Sequence, residues 1–336
     1  MPEKRPKISQ EQPKGKLTPE EVKEMVEKYK KEHEGLLPEY FSLPGEEKEE
    51  EKREYSEETI LAYEIKEFLE KIRPEIENET LIENVKEELR LRIEKGNIRE
   101  ESVILNVWSA IEIYNDLKQS NFWFLLKSDD QKWIEKNIKK SQLIENAKEG
   151  LVSDIKKSKW MSVVFYYNLL KQSNLWNYVN QDDQKWIEKN IKKSQLDVKE
   201  ISEITKELKS EINHAQGTGD AAVEDSFLPI SGYIQLKQSN FWFQLEPEDQ
   251  KWIEENIKNY QLIENCKKIF KIAVRHGQNP GETSWASASI AFYCDFSQFQ
   301  KILEEQGRKK EIAKEKEKAM HPEKKKLPPM PEEKAF

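Results

Sequence analysis

LKQSNFWFLLKSDDQKWIEKNIKKSQL, residues 117–143, is a stretch that this chain of 336 residues contains in three versions. Residues 170–196 repeat it without a gap at 21 of 27 positions, and residues 236–262 repeat it at 20 of 27. Repetition at this length is typical of a fold built from one supersecondary unit that recurs along the chain.

The similarity extends to both sides of this block. LIENVKEEL, LIENAKEGL and LIENCKKIF open stretches without helix breakers, and LDVKEISEI stands in the corresponding place of the remaining copy. A tyrosine lies three residues before each LKQSN, and SWASASIAFYCDF supplies one more in a truncated fourth copy; these are Tyr114, Tyr167, Tyr233 and Tyr293. The predicted units therefore start near residues 81, 143, 196 and 262.

Hydrophobic spacing predicts the secondary structure of one unit. In the first copy an apolar stripe follows the helical repeat through Trp133, Ile144, Ala147, Leu151 and Ile155. This pattern predicts one long helix or two in tandem, and a shorter apolar helix precedes each LKQSN. We therefore predict an all-α fold of tandem αα-hairpin repeats, arranged as an irregular array or bundle that is either open or closed.

Proline and charge placement predict the domain boundaries, since proline disrupts a helix interior. Residues 1–16 are expected to be disordered. Residues 17–55 are expected to hold a helix, with Thr18 as N-cap and Glu21 completing a capping box, followed by a charged linker. Residues 56–307 then form the repeat domain, and residues 308–336 form a disordered Lys/Glu/Pro tail. Within the third copy, the glycines and Pro229 between residues 215 and 232 predict an irregular loop.

Composition limits the classes of function. The net charge is −8, which disfavours general binding to polyanions, although the segment 308–336 carries 10 basic against 6 acidic residues. Cys266 and Cys294 are the two cysteines, and no ligand spacing for zinc, phosphate loop or dinucleotide fingerprint occurs. We therefore expect a cytoplasmic protein with no membrane span, cofactor, metal site or catalytic motif.

The aromatic block after LKQSN is the first candidate site. Exposed aromatic side chains there would bind a partner protein, and the candidates are Phe122, Trp123, Trp176, Phe241 and Trp242. The competing interpretation is that they turn a corner and fill the space between units. Copy two has Asn177 where the other copies have phenylalanine, and this favours the second interpretation.

A lysine ridge is the second candidate site. Its members recur at helical spacing and would track phosphates: Lys132, Lys136, Lys139, Lys140, Lys185, Lys189, Lys192 and Lys193. The interleaved acids Glu135 and Glu188 favour the alternative of a solvated helix face.

The segment 276–295 is the third candidate, because it brings His276, Ser284, Cys294 and Asp295 close in sequence. A nucleophile, a base and a carboxylate are the parts of a covalent catalytic site. Against this, Ser284 is placed to cap a helix and Cys294 lies among apolar residues.

Stacked helical hairpins most often present a surface that binds another macromolecule. We therefore expect a non-enzymatic scaffold or adaptor that binds another protein. The alternatives are a nucleic-acid accessory protein that uses the lysine ridge and the basic tail, and an enzyme that uses segment 276–295.

Overall fold

The computed structural model describes residues 55–98, 103–157, 159–193, 198–239 and 241–320. These residues form helices and turns without a β-strand, so the predicted all-α class is confirmed for the described chain. The predicted disordered segment 1–16, the predicted helix and linker up to residue 54, and residues 321–336 lie outside the described residues.

The described helices follow one another with short connections. They are α1 (Glu57–Ile76), α2 (Glu79–Gly96), α3 (Ile104–Gln119), α4 (Ser128–Ile138), α5 (Ser141–Lys156), α6 (Trp160–Gln172), α7 (Gln181–Lys193), α8 (Val198–Ala215), α9 (Asp220–Glu224), α10 (Phe227–Gln238), α11 (Pro247–Asn256), α12 (Tyr260–Gly277) and α13 (Thr283–Met320). We call α3, α6, α10 and α13, which carry the four tyrosines, the inner helices. The helices α2, α5, α8 and α12, which precede them, are the flanking helices.

The stretch predicted as one long helix or two in tandem is two helices in the first and third copies, whereas in the second copy the connection lies outside the described residues. Between α4 and α5, Lys140 has an extended backbone with ψ 140°. Just before this break, the side chain of Asn137 donates to the carbonyl of Trp133 at 2.6 Å. Such a local bond competes with the helical hydrogen bonds and favours the end of a helix.

A tight corner follows α3 and α6. Asn121 and Asn174 adopt the left-handed conformation, with φ of 64° and 59°, which asparagine tolerates better than most residues. A 3₁₀ turn follows each of them, at Phe122–Leu125 and at Leu175–Tyr178. In copy one, Gln131 then donates to the carbonyls of Trp123 and Leu126, and Gln184 makes the equivalent bonds in copy two. The repeated LKQSN and DDQ residues therefore build the corner.

Asparagines of the LIEN motifs join neighbouring flanking helices. Each donates two bonds of 2.7–3.0 Å to carbonyls at the C-terminal end of a neighbouring flanking helix: Asn146 to Gly96 and Ile98, Asn265 to Ala215 and Gly217, and Asn84 to Gly277 and Asn279. Carbonyls at a helix end have no partner within the helix, so these bonds satisfy them. The bonds of Asn84 connect the first flanking helix to the last one.

Helix α1 closes the remaining side of α12 and α13. Ser56 accepts the Thr59 amide at 3.2 Å and so caps the N-terminus of α1. Phe68 packs edge-on against Phe270 and Phe296, with ring centroids 5.6 and 5.9 Å apart. The N-terminus of α1 is also held to α13, because the Thr59 hydroxyl donates to Glu311 at 2.8 Å.

Two stretches predicted to be irregular are helical. Residues 308–320, assigned from sequence to the tail, continue α13, because Ala, Glu and Lys favour helix and extension of a packed helix needs no new nucleus. The loop predicted at 215–232 contains α9 and the start of α10. Pro229 lies in the first turn of α10, where a missing N–H costs nothing, so it does not prevent this helix.

We expect Asn265→Ala to lower the free energy of unfolding by about 2–3 kcal/mol, because it leaves two carbonyls without a partner at a buried site. Urea denaturation would measure the loss. Asn177→Ala, at an exposed position, is the control and should stay within about 0.5 kcal/mol of the wild type. Equal stabilities of the two variants would contradict the role given to Asn265.

Candidate functional site

The four inner helices surround a cavity of about 70 Å³. Its walls come from the same positions of each helix, counted from the tyrosine. The lining residues two positions before the tyrosine are Glu112, Phe165, Ser231 and Ala291. Those one position after it are Asn115, Asn168 and Ile234, and those two positions after it are Asp116, Leu169, Gln235 and Asp295. Those five positions after it are Gln172, Gln238 and Gln298. Because equivalent positions meet there, we call this space the axial cavity.

Four glutamine side chains form a hydrogen-bonded circuit at one end of the axial cavity. Gln119 donates to Gln172 at 3.2 Å, Gln172 to Gln238 at 3.4 Å, Gln238 to Gln298 at 2.7 Å, and Gln298 to Gln119 at 3.2 Å. A primary amide both donates and accepts, so four of them satisfy one another in a ring. The circuit returns to the helix on which it started, and we call it the glutamine ring.

Three carboxyl groups line the axial cavity without a basic residue among the lining side chains: Glu112, Asp116 and Asp295. Burial raises the pKa of Asp295 to about 7, with a further increase from the nearby Glu112, although a hydrogen bond from Ser231 opposes the shift. Burial raises the pKa of Asp116 well above its usual value and also raises that of Glu112. The folded protein therefore favours protonated carboxyls on its axis.

Sequence reasoning selected Asp295 from this group and missed Glu112 and Asp116. Aligning the copies on their tyrosines could have identified these two residues. In three of the four copies, a polar residue lies two positions before or after the tyrosine on an otherwise apolar helix.

The structure separates the members of segment 276–295. His276 packs against Trp285, with ring centroids 5.4 Å apart, whereas Cys294 lies nine residues farther along α13, about 13 Å at the rise of an α-helix. Cys294 is 3% exposed, and burial raises its pKa well above the usual value, so the thiol stays protonated. Ser284 is not the predicted cap, because α13 begins one residue earlier at Thr283.

The candidate aromatic residues fill the corners. Phe122, Trp123, Trp176, Phe241 and Trp242 are all buried. Each repeated tryptophan packs edge-on against the tyrosine of its copy, with centroids 5.1–5.6 Å apart.

The lysine of LKQSN completes each of these corners. Lys118 places its ammonium 3.9 Å from the centre of the Trp123 ring and 2.8 Å from the Glu135 carboxylate. Lys171 and Lys237 make the same pair of contacts in the later copies. A cation between an aromatic face and a carboxylate stabilises the corner, which explains why these polar residues are repeated.

One aromatic side chain of each corner remains exposed. The exposed fractions are 76% for Phe124, 51% for Tyr178 and 81% for Phe243. Each corner follows an inner helix directly after its member of the glutamine ring, so the three side chains lie at the same end of the axis. We call them the exposed aromatic set.

Some lysines of the ridge contact other side chains of this chain. Lys132 and Lys185 lie near Asp129 and Asp182, at 3.4 and 3.9 Å, and Lys139 lies over the ring of Tyr178. The remaining members with described side chains, Lys136, Lys140 and Lys189, are exposed. The side chains of Lys192 and Lys193 lie outside the described part of the structure.

No protein family, no curated protein and no solved structure matches this chain. Within the described ranges, no helix combines the length and the apolar character needed to cross a membrane. The same residues contain no group of three His, Cys, Asp or Glu side chains arranged to hold a metal ion.

Breaking the glutamine ring should reveal its cooperativity. We expect Gln238→Ala to lower the free energy of unfolding by about 1 kcal/mol, because two of its bonds are lost, whereas exposed Gln244→Ala should have little effect. Gln119 makes its ring bonds with Gln172 and Gln298 rather than with Gln238, so a double-mutant cycle on Gln119 and Gln238 measures coupling through the circuit. Strict additivity would contradict a cooperative ring.

Proposed function

We propose that this chain is a non-enzymatic scaffold that binds another protein at the end of the axis marked by the glutamine ring. The observation that carries the proposal is the exposed aromatic set, since Phe124, Tyr178 and Phe243 are exposed while their neighbours in the same corners are buried. Exposed aromatic residues on rigid supports are typical anchors of protein interfaces.

The corners are suited to this role because their backbone is held by several independent contacts. Phe124 follows the buried Phe122 and Trp123, and Gln131 binds the carbonyls on both sides of it. A partner would therefore meet a preorganised side chain, which reduces the entropy lost on binding.

The state of Cys294 supports a non-enzymatic assignment. A cysteine acts as a nucleophile through its thiolate, and burial with a raised pKa disfavours that form at Cys294. His276, the candidate base of segment 276–295, contacts Trp285, which lies nine residues before Cys294 on α13.

The scaffold proposal is tested by combining Phe124→Ser with Phe243→Ser in the tagged full chain and recovering partners under gentle conditions. Leu105→Ser is the matched control, because Leu105 is 72% exposed at the opposite end of inner helix α3. We expect the wild type and the control to retain a stoichiometric partner and the double variant to bind at least about tenfold more weakly. Equal binding by the double variant, or no stoichiometric partner with any chain, would overturn the proposal.

A second candidate function is nucleic-acid binding, favoured by three exposed lysines: Lys136 on α4, Lys140 between α4 and α5, and Lys189 on α7. Gel-shift titrations across salt concentrations test it, because contacts to phosphates release counterions. If these lysines bind phosphates, replacing all three by glutamine should reduce the salt slope by about 2–3, whereas Lys66→Gln with Lys71→Gln on α1 should leave it unchanged. Absence of binding at about 50 mM salt would rule this function out.

A further inference from the structure

The charges around the axial cavity are unevenly distributed between its walls. Helix α3 contributes Glu112 and Asp116, and α13 contributes Asp295 with the thiol of Cys294 beside it. The lining residues of α6 and α10 include no titratable group. Two further groups lie behind the walls: the Tyr166 ring of α6, stacked on Trp108, and the buried thiol of Cys266 on α12.

No lysine, arginine or histidine is among the residues that line the cavity. Ionisation of the three carboxyls would therefore place negative charges close together without a compensating cation in the cavity wall. Water is the remaining source of stabilisation for these charges, and separation of the helices would admit more of it to the cavity.

Among the described residues, the junction between α6 and α10 has the longest ring bond and the least contact in the circuit. The bond between Gln172 and Gln238, at 3.4 Å, is the longest of the glutamine ring. These two inner helices also touch each other less than the other neighbouring pairs do, and so do the flanking helices α5 and α8.

The asparagine bonds show the same asymmetry. Within the described residues, asparagine bonds bridge the other three junctions, through Asn84, Asn146 and Asn265. Helix α8, which would supply the equivalent residue here, has no asparagine between residues 198 and 206.

We infer that the junction between α6 and α10 is a pH-dependent joint, closed while Glu112, Asp116 and Asp295 hold protons and opened to water when they ionise. The inference concerns the ring alone and does not require the partner-binding function proposed above.

The direction of the effect follows from proton linkage. A carboxyl with a raised pKa binds more protons in the closed form than in an open, hydrated form. The closed form is therefore fully stabilised below the usual carboxyl pKa of about 4 and loses stability as the pH rises. For Asp295 this loss is complete once the pH has passed its raised pKa of about 7.

Hydrogen exchange of the full chain, followed by mass spectrometry at pH 5.5 and pH 8.0, tests the joint. After correction for the intrinsic pH dependence of exchange, we expect protection in α6 and α10 to fall at least about tenfold at the higher pH, which corresponds to one pKa unit. Protection in α2 and α12, which Asn84 joins, should change much less.

The matched variants are Asp116→Asn with Asp295→Asn, which keep the shape of both side chains but cannot ionise. They should abolish most of the pH-dependent loss of protection, whereas Asp182→Asn, at a 98% exposed carboxyl, should retain it in full. If the double variant fails to fold, Asp295→Asn alone should reduce the loss, because one of the three charges is removed. Unchanged protection between the two pH values, an equal loss in the asparagine variants, or a loss centred on α2 and α12 would each overturn the inference.

Discussion

Closure of the circuit of inner helices is the constraint on which the other features of the described domain depend. Gln298 on the last inner helix donates to Gln119 on the first, and Asn84 on the first flanking helix donates to carbonyls at the end of the last. An open array of repeats would leave these polar groups to water at two free ends. Here the ends satisfy each other, so each copy is held by a neighbour on both sides.

Closure also explains why a polar cavity exists. When helices of similar sequence are placed around an axis, equivalent positions of each helix face the centre. Side chains at equivalent positions meet one another there, so they interdigitate less easily than the side chains of an asymmetric core. At two residues after the tyrosine, the copies present Asp116, Leu169, Gln235 and Asp295. Hydrogen bonds such as that from Ser231 to Asp295 satisfy part of this polar surface, and protonation of the carboxyls reduces the cost of burying the rest.

Much of the local structure could be predicted from the sequence because it depends on neighbours along the chain. The Ser56 cap and the helical stripe through Leu151 are examples of features set by spacing. The glutamine ring could not be predicted in this way, because it joins residues that are 53 to 179 positions apart. Helical periodicity records which face is buried, but not which distant helix covers it. For the same reason, Glu112 was missed as a member of the axial cavity.

The repeated residues and the divergent ones have different physical roles. Lys118, Gln131 and Glu135 recur in the three full copies. Their contacts show that they hold the corners, so their recurrence has a structural cause in addition to shared ancestry. The side chains that face the axis differ between copies. A protonated acid, an aliphatic group or an amide can each occupy a central position without preventing contact between the inner helices. The corners therefore specify the shape of the ring, and the individual chemistry of each copy lies where the copies differ, on the axis.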